Sequence, residues 1–536
     1  MAAHFTSLMH GTKNRPALLA FLLASAFIAT LCIAFNPRWA TNDDVAMSMI
    51  AHGYGLAAYG SPHLIFSNVL WGYLVRSLPT INGVFGYSLA TLAVLLVFGW
   101  ATLYFLFRLG AGYLTSLLAV ALLVEQPTLL PQFTVNAGLL TVAAVIGWQV
   151  YARHGGVGSL VTACLLAFFG FLIRGQEFLL VLGVALPFLP WRALGEQRQM
   201  QLSFLLLVVA IVSASAFDRW SYSGPEWQHF EEFNSVRIPF SDYGAGKYLK
   251  QHPDIIARHG YSQNDIDLLT NWFFADPHIS APNSLNALLA ELGPLPMQGG
   301  NIQTGWVAIK ALSSPVLLSL LLSSLVLLVL MPRKPIALAW LLCMASLFAM
   351  GIMGRPGMLR VYVPLMSLLL VAPLMFGTVK RDARQWIATL ALFLACVGNA
   401  YLLFPSAWES QQWTKQVQRD IRHLPVGPVI SWANGFPFEL AFPVLSGDTD
   451  SRNIMFYGLD SFTHAPFSVA NTEQQAGRGM IERLQTATGI PIVLTPQNFE
   501  LLRIYCQERL GGQLRSIIIY PTRAIPAQQV RCEAAQ

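Results

Sequence analysis

Apolar residues occur along this chain mostly in runs of roughly 17–25 positions, separated by short polar turns. A helix of that length crosses the hydrocarbon core of a bilayer and satisfies its own backbone N–H and C=O groups, which lipid cannot do. The pattern predicts an α-helical polytopic membrane protein with about eleven spans. The predicted spans are 16–35, 84–107, 111–125, 134–152, 158–173, 177–191, 202–217, 306–331, 335–353, 361–378 and 386–404.

One further apolar run, 63–78, is predicted not to cross the membrane. It is short, contains Arg76 and ends at Pro79. Counting it as a span would also move Arg108 out of the cytoplasm. We therefore predict an interfacial or re-entrant helix here.

The polar remainder of the chain consists of two loops, 36–83 and 218–305, and a tail, 405–536. In the tail, apolar β-rich runs alternate with helical stretches, a pattern typical of a small α/β domain. The β-rich runs are 429–432, 490–495 and 516–520, and the helical stretches are 473–486 and 497–510. This predicts a transmembrane domain over 1–404 and an extracytoplasmic domain over 405–536.

Composition and charge agree with this architecture. Of the 536 residues, 54% are hydrophobic and 11% are charged, whereas about 25% are charged in a soluble domain. The net charge of +6 comes from bases scattered between apolar runs, so we expect no nucleic-acid partner. If the N-terminus is cytoplasmic, eleven basic residues fall on the cytoplasmic side, and only two acids, Glu196 and Asp382, fall there with them. The basic residues are Lys13, Arg15, Arg108, Arg153, Arg192, Arg198, Arg333, Lys334, Lys380, Arg381 and Arg384.

This orientation predicts that both loops and the tail face the non-cytoplasmic side. Cys506 and Cys532 both lie in the tail. An oxidising compartment would allow a disulfide between them, but the pairing stays open.

The first outer loop carries adjacent acids in the sequence Thr41-Asn42-Asp43-Asp44. Thr41 and Asp44 have the spacing of a capping box, and acids suit a helix N-terminus, so a purely structural role is one interpretation. Capping needs only one acid, however. Adjacent carboxylates raise each other's pKa and can act as a general base or anchor a metal ion.

Other candidate groups lie at predicted outer turns. His63 at the head of the run 63–78 is a polar anchor or a ligand-binding group. The turn Arg174-Gly175-Gln176-Glu177 either forms an internal ion pair or presents a guanidinium to a phosphate.

Two arginines of the segment 354–364, Arg355 and Arg360, also lie on the outer side, where the orientation rule disfavours bases. An anionic ligand would account for them. Lys310 either adds a third cation or extends its amine to the membrane surface.

Together these features resemble the GT-C superfamily of integral-membrane glycosyltransferases, which use polyprenyl-phosphate-linked sugars. The matching features are Asp43-Asp44, the helix led by His63, Arg360-x-Tyr362-x-Pro364 and a soluble C-terminal domain. Three further segments resemble an uncharacterised bacterial branch with an Asn-Asp-Asp motif in the first outer loop. They are Asn42-Asp43-Asp44 with 62–66, Phe233-Asn234-Ser235-Val236-Arg237 with Asp242, and 262–265.

The resemblance implies inverting transfer of a sugar from a polyprenyl-phosphate donor to a glycan, lipid or protein acceptor of the envelope. The reaction would occur at the outer face of the bacterial inner membrane, with an acid of the first loop deprotonating the acceptor hydroxyl. Asp43 and Asp44 stay equal candidates, because the motif departs from the Asp-Glu pair of protein mannosyltransferases. The implied substrate-binding residues are His63, Arg174, Gln176, Glu177, Arg237, Lys310, Arg355, Arg360 and Tyr362.

The resemblance leaves a divalent cation, Mg or Mn, open at Asp43 and Asp44, since only some members of the superfamily use one. The alternatives are a polysaccharide polymerase, a transporter or flippase of lipid-linked glycans, and a non-catalytic scaffold. A transporter would be expected to show inverted repeats and midplane charges, whereas the predicted spans are nearly free of mid-helix charge and the sequence shows no repeat.

Overall fold

The computed structural model describes residues 15–295, 300–376, 383–425, 427–447 and 450–534. Lys13, Lys380, Arg381 and Asp382, which the sequence assigns to the cytoplasmic side, lie outside these ranges. The described chain is mostly helical and carries a small sheet near its C-terminus.

The first half of the chain forms helices joined by mostly short turns. They are α1 Arg15–Phe35, α2 Asn42–His52, α3 Val69–Ser77, α4 Gly86–Arg108, α5 Tyr113–Leu129, α6 Phe133–His154, α7 Val157–Ile173, α8 Gly175–Val184, α9 Trp191–Glu196 and α10 Arg198–Ser221. The central helix is α6, which is buried from Phe133 to Tyr151 and packs against α4, α7, α8 and α20.

The second outer loop folds into short helices, and further apolar helices follow it. The short helices are α11 Pro225–Ser241, α12 Ala245–Leu249, α13 Pro253–Arg258, α14 Gln263–Thr270, α15 Pro277–Ser280 and α16 Pro282–Leu292. The later helices are α17 Ile302–Lys310, α18 Pro315–Leu330, α19 Lys334–Ile352, α20 Leu359–Phe376 and α21 Ala383–Ile421.

Seven described helices are long and apolar enough to cross a membrane, which indicates a membrane protein. They are α1, α4, α6, α10, α19, α20 and α21. The segment Ile302–Ser313 and α18 meet at an angle of 80° and would add an eighth span if they cross together.

The predicted number of eleven spans is not confirmed. Three predicted spans coincide with the shorter apolar helices α5, α7 and α8. The ten residues of α8 extend only about 15 Å, against a hydrocarbon core about 30 Å thick. The run 63–78 forms only the nine-residue helix α3, which agrees with its prediction as a segment that does not cross.

The C-terminal sheet contains five strands in the order β2-β1-β3-β5-β4. The strands are β1 Val429–Trp432, β2 Phe456–Leu459, β3 Ile490–Val493, β4 Gly512–Ile519 and β5 Ala527–Ala534. Strand β1 runs parallel to β2 and β3, while β5 pairs antiparallel with β3 and β4. The helices of this region are α22 Phe438–Ala441, α23 Val469–Gln475, α24 Met480–Leu484 and α25 Pro496–Leu510.

A disulfide links two elements of the C-terminal region, and a long helix leads into it from the apolar helices. A disulfide joins Cys506 in α25 to Cys532 in β5, which resolves the pairing that the sequence left open. Helix α21 continues through residue 404 to Ile421, so the predicted domain boundary falls inside one helix.

The C-terminal region packs directly on the first outer loop. The Phe456 N–H donates to the Gly55 carbonyl (2.8 Å), and the Val469 N–H donates to the Leu56 carbonyl (3.0 Å). In return, the Ala58 N–H donates to the carbonyl of Phe467 (2.8 Å). These backbone bonds join the segment that follows α2 to the C-terminal region.

Candidate active site

The two acids of the first outer loop lie in the first turn of α2, where the partial positive charge of a helix N-terminus favours them. Thr41 precedes the helix in an extended conformation, but its side chain makes no capping bond to the backbone. Its hydroxyl instead donates to the Asp44 carboxyl (3.2 Å). The expected capping box is therefore not formed, and the two acids have different surroundings.

Asp44 is fully buried and holds neighbouring helices together. Its Oδ1 accepts a hydrogen bond from the Tyr87 hydroxyl (3.1 Å) in α4 and one from the Phe133 N–H (3.0 Å) in α6. Burial, followed by the nearby charge of Asp43, raises the pKa of Asp44 to about 8. This environment suits a positioning residue that is protonated at neutral pH.

We expect Asp44 to make the protein less stable as pH rises. The pKa of Asp44 is about 8 in the folded state and about 3.9 in an unfolded chain. Between these values the folded state binds more protons, so the free energy of unfolding falls with pH, by up to about 1.4 kcal/mol per unit. Asp44→Asn cannot titrate and keeps the acceptor oxygen, so its stability should depend less on pH between about 4 and 8. Thermal unfolding of both proteins across this range tests the assignment, and equal slopes would contradict it.

Asp43 is partly exposed and contacts a cation. Its Oδ2 accepts a hydrogen bond from Nη1 of Arg360 (2.9 Å), and 36% of its side chain is exposed. The same carboxylate lines a cavity under the C-terminal region. Of the two acids, Asp43 is therefore the one that a ligand can reach.

Arg174 and Arg360, which come from two predicted outer turns, both interact with Asp43. Arg174 interacts electrostatically with Arg360, Asp43, Glu177 and Arg355. Arg355 comes from the turn that follows α19, and Arg360 lies at the start of α20. Arg360 thus pairs with the one carboxylate that a ligand can reach, Arg174 also interacts with that carboxylate, and Arg355 interacts with Arg174.

Local contacts hold Arg174 and Arg355 in place. Arg174 donates to the carbonyl of Phe66 (3.0 Å), and its guanidinium lies over the ring of Phe133 (5.5 Å). The preceding Ile65 has a φ of 66°, an outlier for a β-branched residue and a sign of strain in this turn. Arg355 donates to the Tyr243 hydroxyl (2.8 Å).

Two residues of the turn 174–177 differ in exposure. Glu177 is buried, and its Oε1 has no hydrogen-bond partner within the described residues. Its charge interacts with Arg174 and Arg360. Gln176 is exposed. Only the acid of this pair therefore belongs to the arginine cluster.

Tyr362 and Lys310 lie on the α17 side of the cluster. The buried Tyr362 donates to the carbonyl of Ala308 (2.9 Å) and accepts from the Gly357 N–H (3.2 Å). These bonds fix the turn that carries Arg355 and Arg360. Lys310 is exposed at the end of α17, as expected for an amine that extends to the surface.

His63 packs against the start of the second outer loop. It bonds to the Ser221 hydroxyl (2.7 Å) and lies against the rings of Tyr222 and Trp227. Burial lowers the pKa of His63. Its hydrogen-bond partners among the described residues are Ser61 and Ser221, so the structure does not bring His63 into the arginine cluster.

A cavity of about 190 Å³ separates the first outer loop from the C-terminal region. It is lined by Asn42, Asp43, Ala46, Leu56, Trp272, Ala433, Asn434, Phe438, Asp460, Ser461 and Phe462. The second carboxyl group, Asp460, directly follows strand β2. Burial raises the pKa of Asp460 to about 6.

Sequence reasoning missed Asp460, Asn434 and Trp272. The signal for Asp460 was an acid after the short apolar run 456–459, but that strand was not predicted. Nothing in the sequence placed Asp460 opposite Asp43, because the two are more than four hundred positions apart.

Arg237 contacts Trp272, one of the residues that line this cavity. Its guanidinium lies 4.8 Å from the centre of the Trp272 ring and donates to Asn234 (2.7 Å) and Asp242 (3.2 Å). Arg237 also interacts electrostatically with Asp460. The structure therefore associates Arg237 with the cavity and not with the arginine cluster.

Two residues of the cavity wall have strained backbones. Trp272 has a φ of 69° and Ala433 a φ of 48°, in the left-handed region that favours glycine. Five described non-glycine residues have positive φ, and two of them line this cavity. Strain of this kind tends to be retained at functional sites.

The two adjacent acids do not fit a divalent-cation site. Both carboxyl oxygens of Asp44 already accept protein hydrogen bonds, and Asp43 is paired with Arg360. Within the described ranges, no group of three or more His, Cys, Asp or Glu side chains could hold a metal ion. We therefore assign no chemical step to a metal.

Comparison with known proteins adds no assignment, because no protein-family model, curated protein or solved structure matches this chain.

Proposed function

We propose that the protein is an inverting glycosyltransferase that moves a sugar from a polyprenyl-phosphate-linked donor to an acceptor. The observation that carries the proposal is the position of Asp43. One side of its carboxylate pairs with Arg360, and the same residue lines the cavity under the C-terminal region. A base between a cationic cluster and a cavity has the arrangement that transfer from an anionic leaving group requires.

In this reaction the acceptor hydroxyl attacks the anomeric carbon of the donor sugar. Its proton passes to Asp43, a new C–O bond forms, and the bond from the anomeric carbon to the phosphate oxygen breaks. The polyprenyl phosphate leaves with the electron pair of that bond. The negative charge that develops on it is stabilised by Arg360, Arg174 and Arg355, because guanidinium groups match phosphate oxygens in a bidentate way.

The proposal includes a location. The apolar helices support residence in a membrane, and the distribution of Lys and Arg supports a cytoplasmic N-terminus. In the bacterial inner membrane, the cavity and the C-terminal region would then face the periplasm or the cell exterior. The acceptor would be an envelope glycan, lipid or protein.

Mass spectrometry of envelope glycans tests the function directly. A strain without the gene should lack one sugar that the parent strain attaches to an envelope component. The wild-type gene should restore that sugar, while a gene encoding Asp43→Asn should not, because the variant lacks the proposed base. Unchanged envelope glycans in the deletion strain, under conditions where the protein is made, would contradict the proposal.

A further inference from the structure

We infer that the cavity lined by Trp272, Asn434 and Asp460 is the acceptor subsite and that it binds an uncharged, hydroxyl-rich saccharide. That this saccharide is the acceptor rests on the proposed function, whereas the binding of a saccharide is inferred from the residues of the cavity. The subsite is built from three parts of the chain, the first outer loop, the second outer loop and the C-terminal region.

The polar groups of the cavity suit sugar hydroxyls. Asp460 accepts a hydrogen bond on Oδ1 from the Phe462 N–H (2.6 Å), and its Oδ2 accepts none from the described residues. Asn42 also lines the cavity, and its Oδ1 is buried with no partner among the described residues. Asn434 is exposed and offers both a donor and an acceptor. These groups can bond to several hydroxyls of one ring.

Trp272 provides the apolar surface that a sugar ring also needs. Its indole is fixed by the guanidinium of Arg237, 4.8 Å from the ring centre, while the residue also lines the cavity. The negative face of an aromatic ring attracts the slightly positive C–H groups of a sugar. Trp272 adopts its left-handed backbone at the end of α14, where glycine is favoured. A role of the indole in binding a sugar ring would explain why tryptophan, and not glycine, occupies this strained backbone position.

Size and charge narrow the ligand class. At about 190 Å³, the cavity is smaller than the roughly 300–1,000 Å³ of typical small-molecule pockets, so it encloses about one sugar ring of its ligand. Its lining residues include two carboxyls, and none of those described is Lys or Arg. The lining therefore offers no cation to bind a phosphorylated or carboxylated ring, in contrast to the arginine cluster.

Saturation-transfer NMR with the full-length protein tests the subsite. The probes are the methyl glycosides of glucose, mannose, galactose and N-acetylglucosamine, and the detergent must have no sugar headgroup that could compete. We expect at least one glycoside to bind, with an affinity in about the millimolar range for a single ring. Trp272→Ala and Asn434→Ala should each weaken binding about tenfold, while Trp272→Phe, which keeps an aromatic face, should retain most of it.

The control is Trp386→Ala, which removes an exposed tryptophan near the start of α21, away from the cavity. This variant should bind the glycoside like the wild type. Wild-type affinity in folded Trp272→Ala and Asn434→Ala would overturn the subsite, and so would the absence of binding to any glycoside.

The two proposals fail in different ways. If Trp272→Ala transfers the sugar with the same KM for the acceptor as the wild type, the acceptor subsite is overturned and the proposed function stands. Glycoside binding that depends on Trp272, in a protein that neither binds polyprenyl phosphate nor alters envelope glycans, supports the saccharide site and overturns the proposed function.

Discussion

Asp43→Asn should fold like the wild type and lose sugar transfer by a factor of about 10²–10⁴, the usual contribution of a general base. The amide keeps the size of the carboxylate and can still accept a hydrogen bond from Arg360, but it cannot take a proton from the acceptor hydroxyl. The measurement is the initial rate of transfer by purified protein. Thermal unfolding of the same samples shows whether the variant is folded.

Asp44→Asn is the matched control, because it makes the same chemical change one residue away. Asp44 is buried, hydrogen-bonded on both oxygens and protonated at neutral pH. Its amide should preserve most of these bonds and most of the activity. Full activity in Asp43→Asn, or an equally large loss in a well-folded Asp44→Asn, would rule out Asp43 as the base.

The ion pair with Arg360 adds a second readout for Asp43. Without a donor, the Arg360 guanidinium pairs with Asp43, so a phosphate that binds Arg360 must compete with this carboxylate. The neutral amide of Asp43→Asn competes less strongly than the carboxylate for Arg360. The variant should therefore bind polyprenyl phosphate at least as tightly as the wild type. A residue needed only for donor binding would show the opposite effect.

The sequence predicted helices well where apolar runs were long and uninterrupted. Each of the eleven predicted spans overlaps an observed helix or the bent pair α17–α18. Hydropathy could not predict helix ends, because a helix can continue beyond the bilayer on contacts with other parts of the chain. Helix α21 extends past its apolar run to Ile421, where Asp420 accepts hydrogen bonds from the backbone of Arg523 and Ala524.

Residues of the candidate site could be predicted only where a short stretch of sequence was unusual by itself. Asp43 stood out as one of two adjacent acids, Arg355 and Arg360 because they break the orientation rule, and Arg174 because a charge between apolar spans is costly. The sequence did not distinguish Asp43 from Asp44, because their difference arises from Tyr87 and Phe133, which approach from other helices.

The far wall of the cavity was not predictable at all. Trp272, Asn434 and Asp460 are ordinary residues of short segments until the C-terminal region packs on the first outer loop. That packing depends on backbone hydrogen bonds such as the one from Phe456 to Gly55, which leave no pattern of side chains in the sequence.

Polyprenyl phosphate should raise the melting temperature of the purified protein, and Arg360→Lys should remove about half of that stabilisation. Arg360, Arg174 and Arg355 repel one another, and the nearby acids are Asp43 and the buried Glu177. A bound phosphate relieves this repulsion, and at a hundred times its Kd it stabilises the folded state by about 2.7 kcal/mol.

Lysine keeps the charge of Arg360 but cannot form two parallel hydrogen bonds to a phosphate, which should weaken binding about tenfold or more. At the same phosphate concentration the stabilisation then falls to about 1.4 kcal/mol. Arg219→Lys is the control, because Arg219 is exposed in the last turn of α10, a helix that carries none of the three arginines. This variant should respond like the wild type. Equal shifts in Arg360→Lys and Arg219→Lys would show that the arginine cluster does not bind the phosphate, and the proposed function would then rest on Asp43 and the cavity alone.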